Sequence, residues 1–332
     1  AAAQEEGFRR LLVLRDALRV AEELGHPSHQ EILHEIETLD LEGAFSAVRV
    51  EHVLSRSDVA EFCADVVGAD SLERALCRFA QQIPVTPESV QQTRDSTSVG
   101  IRHLVTNYRF GEANSVVTSS ETTVPDQDAV AAAVERDVLQ QVGWGAQMGA
   151  TMFLVPALHQ VLESYEPWDS RDLIEVLERG AADPVVAEAL SRAVQHFHRR
   201  RYDEAIHVAL PRIERLIRHV ARSWGVATTR RPTARVGGIR GLGEILYELR
   251  GDDGPLLPEP FLTSAELLLV HPDSLNLRNE YLHGIQNEAR AADAALILQL
   301  GLALCLLIRM ESRNLESEST ASESPTTPKT ER

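Results

Sequence analysis

Residues Ala294 to Ile308 read AALILQLGLALCLLI, and how this run is read decides the fold. It is 15 residues long and carries Gln299, whereas a helix that crosses a membrane needs roughly 20 apolar residues. A buried helix is therefore expected, from about Glu288 to Met310, and no membrane partner.

Working outward, the composition agrees with a helical core. The chain has 332 residues, 43% of them hydrophobic and 5% aromatic, which is enough for buried cores and for more than one domain. Leucine and alanine recur at helical spacing between short connections, and strand-like alternation is scarce, so the expected class is all-α. Cys63, Cys77 and Cys305 are scattered without CxxC spacing. That pattern indicates neither a disulfide framework nor a zinc site, and a reducing cytoplasm suits it. The opening AAAQEEGFRR has no basic stretch followed by an apolar one, so no secretory signal is expected.

Upstream of the apolar run, EEGFRRLLVLRDALRVAEELG predicts a helix ended by Gly25. SHQEILHEIETL predicts one opened by Ser28 with Glu31, and DSLERALCRFAQQI one opened by Asp70 with Glu73. From Pro84 to Pro125 the pattern weakens into Ser/Thr-rich text that reads as loop. Helices are expected again from Ala129 to about Gln141, through GWGAQMGATMFLVPALHQVLESY, and in WDSRDLIEVLERG. Then come PVVAEALSRAVQHFHRRR and YDEAIHVALPRIERLIRHVARSW, the second expected to kink or restart at Pro211. Thr263 with Glu266 reads as the start of the next helix. The polar end ESESTASESPTTPKTER has too few apolar residues to offset ordering entropy and is expected to be disordered. The organisation expected is an acidic helical N-terminal domain, residues 1–182, a helix bundle, 183–313, and a tail, 314–332.

Charge is distributed unevenly along the chain. Residues 1–190 carry 14 Arg and Lys against 32 Asp and Glu, a net −18, whereas residues 191–313 carry 17 against 14, a net +3. The basic balance of the later segment is the electrostatic feature that suits a polyanion.

Within that basic segment lies SLNLRNEYLHG, Ser274 to Gly284. On an ideal helix Asn279 and His283 share a face, while Arg278 and His283 stand about 140° apart. For Arg278 and His283 to converge, the helix must begin at the arginine or bend near the motif, and Gly284 suits a helix end. The set offers a fixed cation, an amide that can hold an imidazole in one tautomer, and an imidazole whose ordinary pKa of roughly 6.5 suits proton transfer. Such groups match phosphodiester cleavage without a metal, the imidazole moving a proton and the guanidinium holding charge on the phosphate.

The same residues carry a resemblance. LRNEYLHG resembles the R-x4-H signature, in its RNxxxHG form, of the HEPN superfamily (higher eukaryotes and prokaryotes nucleotide-binding). RRRYDEAIHVALPRIERLIRHVARSWG followed by NLRNEYLHG is similar to a bacterial branch that pairs a PxxExxxR helix with that motif, a likeness covering roughly residues 183–311. The resemblance implies an antiparallel helix bundle that forms a homodimer, bringing two motifs into one cleft. It implies a metal-independent ribonuclease of toxin or antiphage systems, or an inactive binding scaffold. Arg278 would be the phosphate-binding cation, His283 the catalytic acid and base, and Asn279 its orienting neighbour, with Gly284 supporting and Glu214 and Arg218 as an ion pair lining the cleft. Gly284, Ile285 and Gln286 follow His283, so the tyrosine found shortly after the histidine in the HEPN toxins silenced by tyrosine modification is missing.

Other groupings read more plainly. His26, His29, His34, Glu31 and Glu35 lack the four-residue spacing that puts two ligands on one helix face and read as a solvated helix start. His196 and His198 with Arg199, Arg200 and Arg201 suit either RNA phosphates or a basic helix end, and Arg230 and Arg231 are further candidate RNA contacts. Gly237, Gly238, Gly241 and Gly243 spell no phosphate loop and read as a hinge. The function expected is a metal-independent RNA endonuclease of bacterial defence or growth arrest, with no cofactor and no metal. Its partners would be RNA, a second copy, and an antitoxin or regulatory protein. The alternative is a non-catalytic adaptor that binds a nucleotide, RNA or protein.

Overall fold

The structure, a computed structural model, describes residues 2–37, 55–97, 107–110, 116–120, 127–165, 169–179, 182–230, 238–251, 254–286 and 288–322, with side chains of the last helix described to Leu306. The class is all-α, with one short antiparallel strand pair among the described residues. Contacts divide the chain into two units: Ala1–Leu54, Arg94–Val138 and Asn279–Asn287 form one, and Ser55–Thr93, Leu139–Arg278 and Glu288–Arg332 the other.

In the first unit, α1 (Ala2–Glu23) and α2 (His29–Glu37) pack together. Gly25 ends α1 as expected, with φ at +60°, its N–H donating to the Glu22 carbonyl and that of His26 to the Ala21 carbonyl. Ser28 precedes α2, but its hydroxyl bonds His26 Nδ1 at 2.6 Å. The strands β1 (Asn107–Phe110) and β2 (Val116–Ser120) pair antiparallel. They correct the loop reading of this region, and the run Val116, Val117, Thr118 is the β-branched signal behind β2.

The second unit is built around α14 (Ala291–Ser322), in which every residue from Ala292 to Leu306 is buried. A helix apolar all round belongs in a core. Its neighbours are α4 (Leu72–Gln81), α7 (Val155–Ser164), α8 (Ser170–Glu178), α9 (Pro184–His198), α10 (Tyr202–Ser223) and α12 (Glu259–Leu269). Gly301 lets α14 approach α10 closely, because a Cβ there would lie 3.2 Å from Ile213 Cδ1. Among the described residues no helix is long and apolar enough to cross a membrane.

The one polar side chain inside the apolar run has a task. Ala80 sits in the last turn of α4, and the residue four places on, Pro84, has no N–H to give its carbonyl. Gln299 Nε2 donates to that carbonyl at 2.7 Å, from a side chain wholly buried.

The larger unit draws on both sides of the boundary expected near residue 182. Ser191 of α9 donates to the Ser170 carbonyl of α8 at 3.3 Å, across that boundary. Local periodicity marks helices but not which of them share a core. The helix α14 overlaps the start of the tail expected from 314, and residues 323–332 lie outside the described ones.

Several element starts differ from the sequence reading. Ser71, not Asp70, caps α4, accepting from Arg74 N at 3.3 Å, while Asp70 pairs with the Arg74 side chain. Pro87–Ser96, expected as loop, is helix α5, opened by reciprocal bonds between Thr86 and Ser89. The helix α10 runs unbroken through Pro211, forgoing only the bond to the His207 carbonyl. Glu259 and Pro260 begin α12, so Thr263 lies inside it. Finally α6 (Gln127–Gly149) passes into α7 through a π turn, Ala150–Leu154. There Val155 N–H reaches back five residues to the Ala150 carbonyl, beside Pro156, which cannot donate.

Candidate functional site

The apolar stripe of α10, Ile206, Leu210, Ile213, Ile217 and Val220, faces the core. Glu214 and Arg218, one turn apart at its edge, are consequently half-buried, with side chains 18% and 14% exposed. Arg218 grips one oxygen of the carboxylate twice, Nη2 at 2.6 Å and Nε at 3.2 Å from Oε1. Arg278 Nε donates to the other, Oε2, at 2.8 Å, from a side chain 30% exposed. One carboxylate thus lies between two guanidinium groups, a cluster of net charge +1. Burial pushes the Glu214 carboxyl up, but the hydrogen bonds from Arg218 and Arg278 prevail and hold it below the usual carboxylate range. Arg218 Nη1 is buried without a hydrogen-bond partner among the described residues.

Arg278 is delivered by α13 (Leu277–Leu282) at the end of a tight, buried turn. Ser274 N–H donates to the His271 carbonyl at 3.1 Å, and Asn276 adopts a left-handed backbone, φ +52°. Asparagine tolerates that region better than most residues. The turn is wedged against α6 at Gly143, where a Cβ would lie 2.9 Å from Ser274 Oγ and 3.4 Å from Leu275 Cδ2. Nothing in the local sequence announces this close approach beyond the glycines of GWG.

His283 and Asn279 belong to the other unit. The Asn279 carbonyl accepts the His283 N–H at 3.1 Å, so helical bonding runs to the histidine. Gly284 then takes φ +66°, its N–H donating to the Tyr281 carbonyl and that of Ile285 to the Glu280 carbonyl. This is a Schellman ending with His283 as the capping residue, and it explains why a glycine follows the histidine. The His283 side chain is exposed. Its imidazole makes no hydrogen bond among the described residues, and its link to Asn279 is the backbone bond.

The remaining candidates make local contacts of their own. Arg199, Arg200 and Arg201 form the exposed turn between α9 and α10, with Arg200 left-handed at φ +59°. Arg201 N–H donates to the His196 carbonyl at 2.9 Å. Arg230 pairs with Glu244, whose neighbour in space, Arg240, also bonds Glu248 at 2.9 Å. These pairs anchor a small bridge, Thr229 to Ile239, on α11 (Leu242–Arg250). Arg231 and Gly237 lie outside the described residues. His29 Nδ1 bonds the His26 carbonyl oxygen and Glu35 pairs with Arg10, and the described residues hold no cluster of three or more metal-ligating side chains. Compared with models of known protein families, with curated proteins and with solved structures, the chain matches none.

Proposed function

We propose that the chain is a metal-independent RNA endonuclease of HEPN type, acting as a homodimer in bacterial defence or growth arrest. The observation that carries this reading is that Arg278 meets Glu214 and Arg218, the pair picked from the PxxExxxR helix, in one half-buried cluster. Residues far apart in the chain and chosen from the motif pattern therefore join one ion cluster. Arg278 would neutralise charge gathering on the scissile phosphate, and His283 would take the proton of the ribose 2′-hydroxyl. The attack of that oxygen on phosphorus breaks the bond to the 5′-oxygen, which takes a proton from water to leave as a hydroxyl, and a 2′,3′-cyclic phosphate remains. Only RNA carries this internal nucleophile. Because positions five apart on an ideal helix point about 140° from each other, the working pair is assigned to two copies of the chain across a twofold axis. An antitoxin or regulatory protein would hold such an activity off.

The test is cleavage of labelled RNA in EDTA by the full chain. EDTA-resistant products with cyclic phosphate ends, lost in His283→Ala, are expected. Mixing Arg278→Ala with His283→Ala should recover part of the activity if the pair is shared between copies. Cleavage unchanged by His283→Ala sinks the catalytic role.

A second reading has an observation of its own. Glu214 already answers part of the Arg278 charge, as a structural ion cluster would. On that reading the chain is a non-catalytic adaptor, which binds RNA, a nucleotide or a protein and yields no products.

A further inference from the structure

Glu214 places an anion where, in the function proposed above, an RNA phosphate must sit. The carboxylate and a phosphodiester offer a guanidinium the same thing, oxygens that accept charge-assisted hydrogen bonds. The two arginines that share Glu214 are not equivalent. Arg218 lies on the same helix, one turn away, and is 14% exposed, whereas Arg278 comes from a helix 64 positions later and is 30% exposed. An anion from solvent therefore reaches Arg278 more readily, and the bond to Glu214 that it would replace is the one from Nε to Oε2.

We infer that Glu214 is an internal competitor for RNA phosphate at Arg278, a carboxylate that moves wholly onto Arg218 when a phosphodiester takes its place. This rests on the reading of Arg278 as the phosphate contact. The resting cluster contains the means for the exchange. Displacement strips Oε2 of the Arg278 donor, and Arg218 Nη1 is buried without a partner among the described residues. Turning the Arg218 guanidinium from its Nε and Nη2 edge to its Nη1 and Nη2 edge gives each carboxylate oxygen a donor. The carboxylate stays ionised and hydrogen-bonded in both states. Such a contact favours a polyanion, held by several phosphates at once, over a lone anion that has nothing else to hold it.

The experiment measures binding of a labelled 2′-O-methyl oligouridylate, which presents phosphates but lacks the nucleophile, to the full chain at low salt by fluorescence anisotropy. Glu214→Gln keeps an acceptor for Arg218 and removes the competing charge. Release of a partly exposed pair of this kind should tighten binding by about fivefold, and Arg278→Gln in the same chain should cancel the gain. Glu214→Asp, whose shorter carboxylate withdraws from Arg278 while staying near Arg218, should move affinity in the same direction and gives the answer if the Gln variant does not fold. Equal or weaker binding by a folded Glu214 variant overturns the inference while leaving Arg278 as a phosphate contact. Wild-type binding indifferent to Arg278→Gln overturns both. Tighter binding without cleavage of ordinary RNA upholds the competitor and removes the ribonuclease.

Discussion

Replacing Gln299 by methionine isolates one hydrogen bond in the core. The side chain is wholly buried in α14, and its Nε2 donates at 2.7 Å to the Ala80 carbonyl, which Pro84 cannot serve. Methionine keeps the volume and removes the donor, so no large cavity complicates the result. The carbonyl is then buried without a partner, at about 1–3 kcal/mol. Part of this is recovered, because Gln299 Oε1 is itself buried without a partner and the substitution removes it. A net loss of about 1–2 kcal/mol follows, lowering the melting temperature of a unit this size by roughly 2–8 °C. Gln299→Ala adds a cavity and should cost more, about 2–5 kcal/mol. Thermal melts by circular dichroism, with urea midpoints at unchanged slope, give both values. A methionine variant as stable as the parent would refute the idea that α4 is capped from α14.

Gly143→Ala and Gly145→Ala should have opposite signs, because a Cβ at Gly143 meets Ser274 Oγ at 2.9 Å while one at Gly145 meets nothing within 4 Å. Urea denaturation should show a loss of about 1–3 kcal/mol for the first and a gain of up to about 1 kcal/mol for the second. Glu214 has its carboxyl held below the ordinary 4.5, so its contribution to stability is full above that pH and fades as pH falls through the folded value. The stability gap between the parent and Glu214→Gln should therefore narrow in acid, as urea midpoints at falling pH would record. His159 stacks on Phe197 at 4.8 Å, and burial first, then the nearby Arg200 and His198, push its pKa below 6.5 against the opposing Glu163. Stability should then decline as pH drops below about 6.5, and His159→Phe should flatten that part of the melting profile.

The helical class was legible because apolar spacing survives in a single sequence, and Gly25 and Gly284 marked helix ends through the left-handed backbone only glycine adopts cheaply. Caps were legible less well. Asp70 and Ser71 are both good caps, and a shift of one residue decides between them. Thr86, Pro87 and Ser89 do carry a helix start, but with serine in the place where a glutamate is usually sought. The boundary near 182 rested on punctuation in the text, whereas the contacts of α4, α8 and α9 with α14 are long-range and leave no local mark. At the site, helical spacing alone separates Arg278 from His283; Glu214 and Arg218 were expected as an ion pair lining the cleft, and the bond from Arg278 to Glu214 had no sequence signal. The wedge of Gly143 against Ser274 had no sequence signal that distinguished it from Gly145.

The placement of α14 also bears on how the chain is made. Every helix that packs on it, from α4 to α12, precedes it in the sequence. As the ribosome adds residues at about 5–20 per second, those helices emerge with their inward faces uncovered, waiting for the strip that closes the core. Until that last helix has been translated, the apolar faces it covers stay open to solvent in the nascent chain.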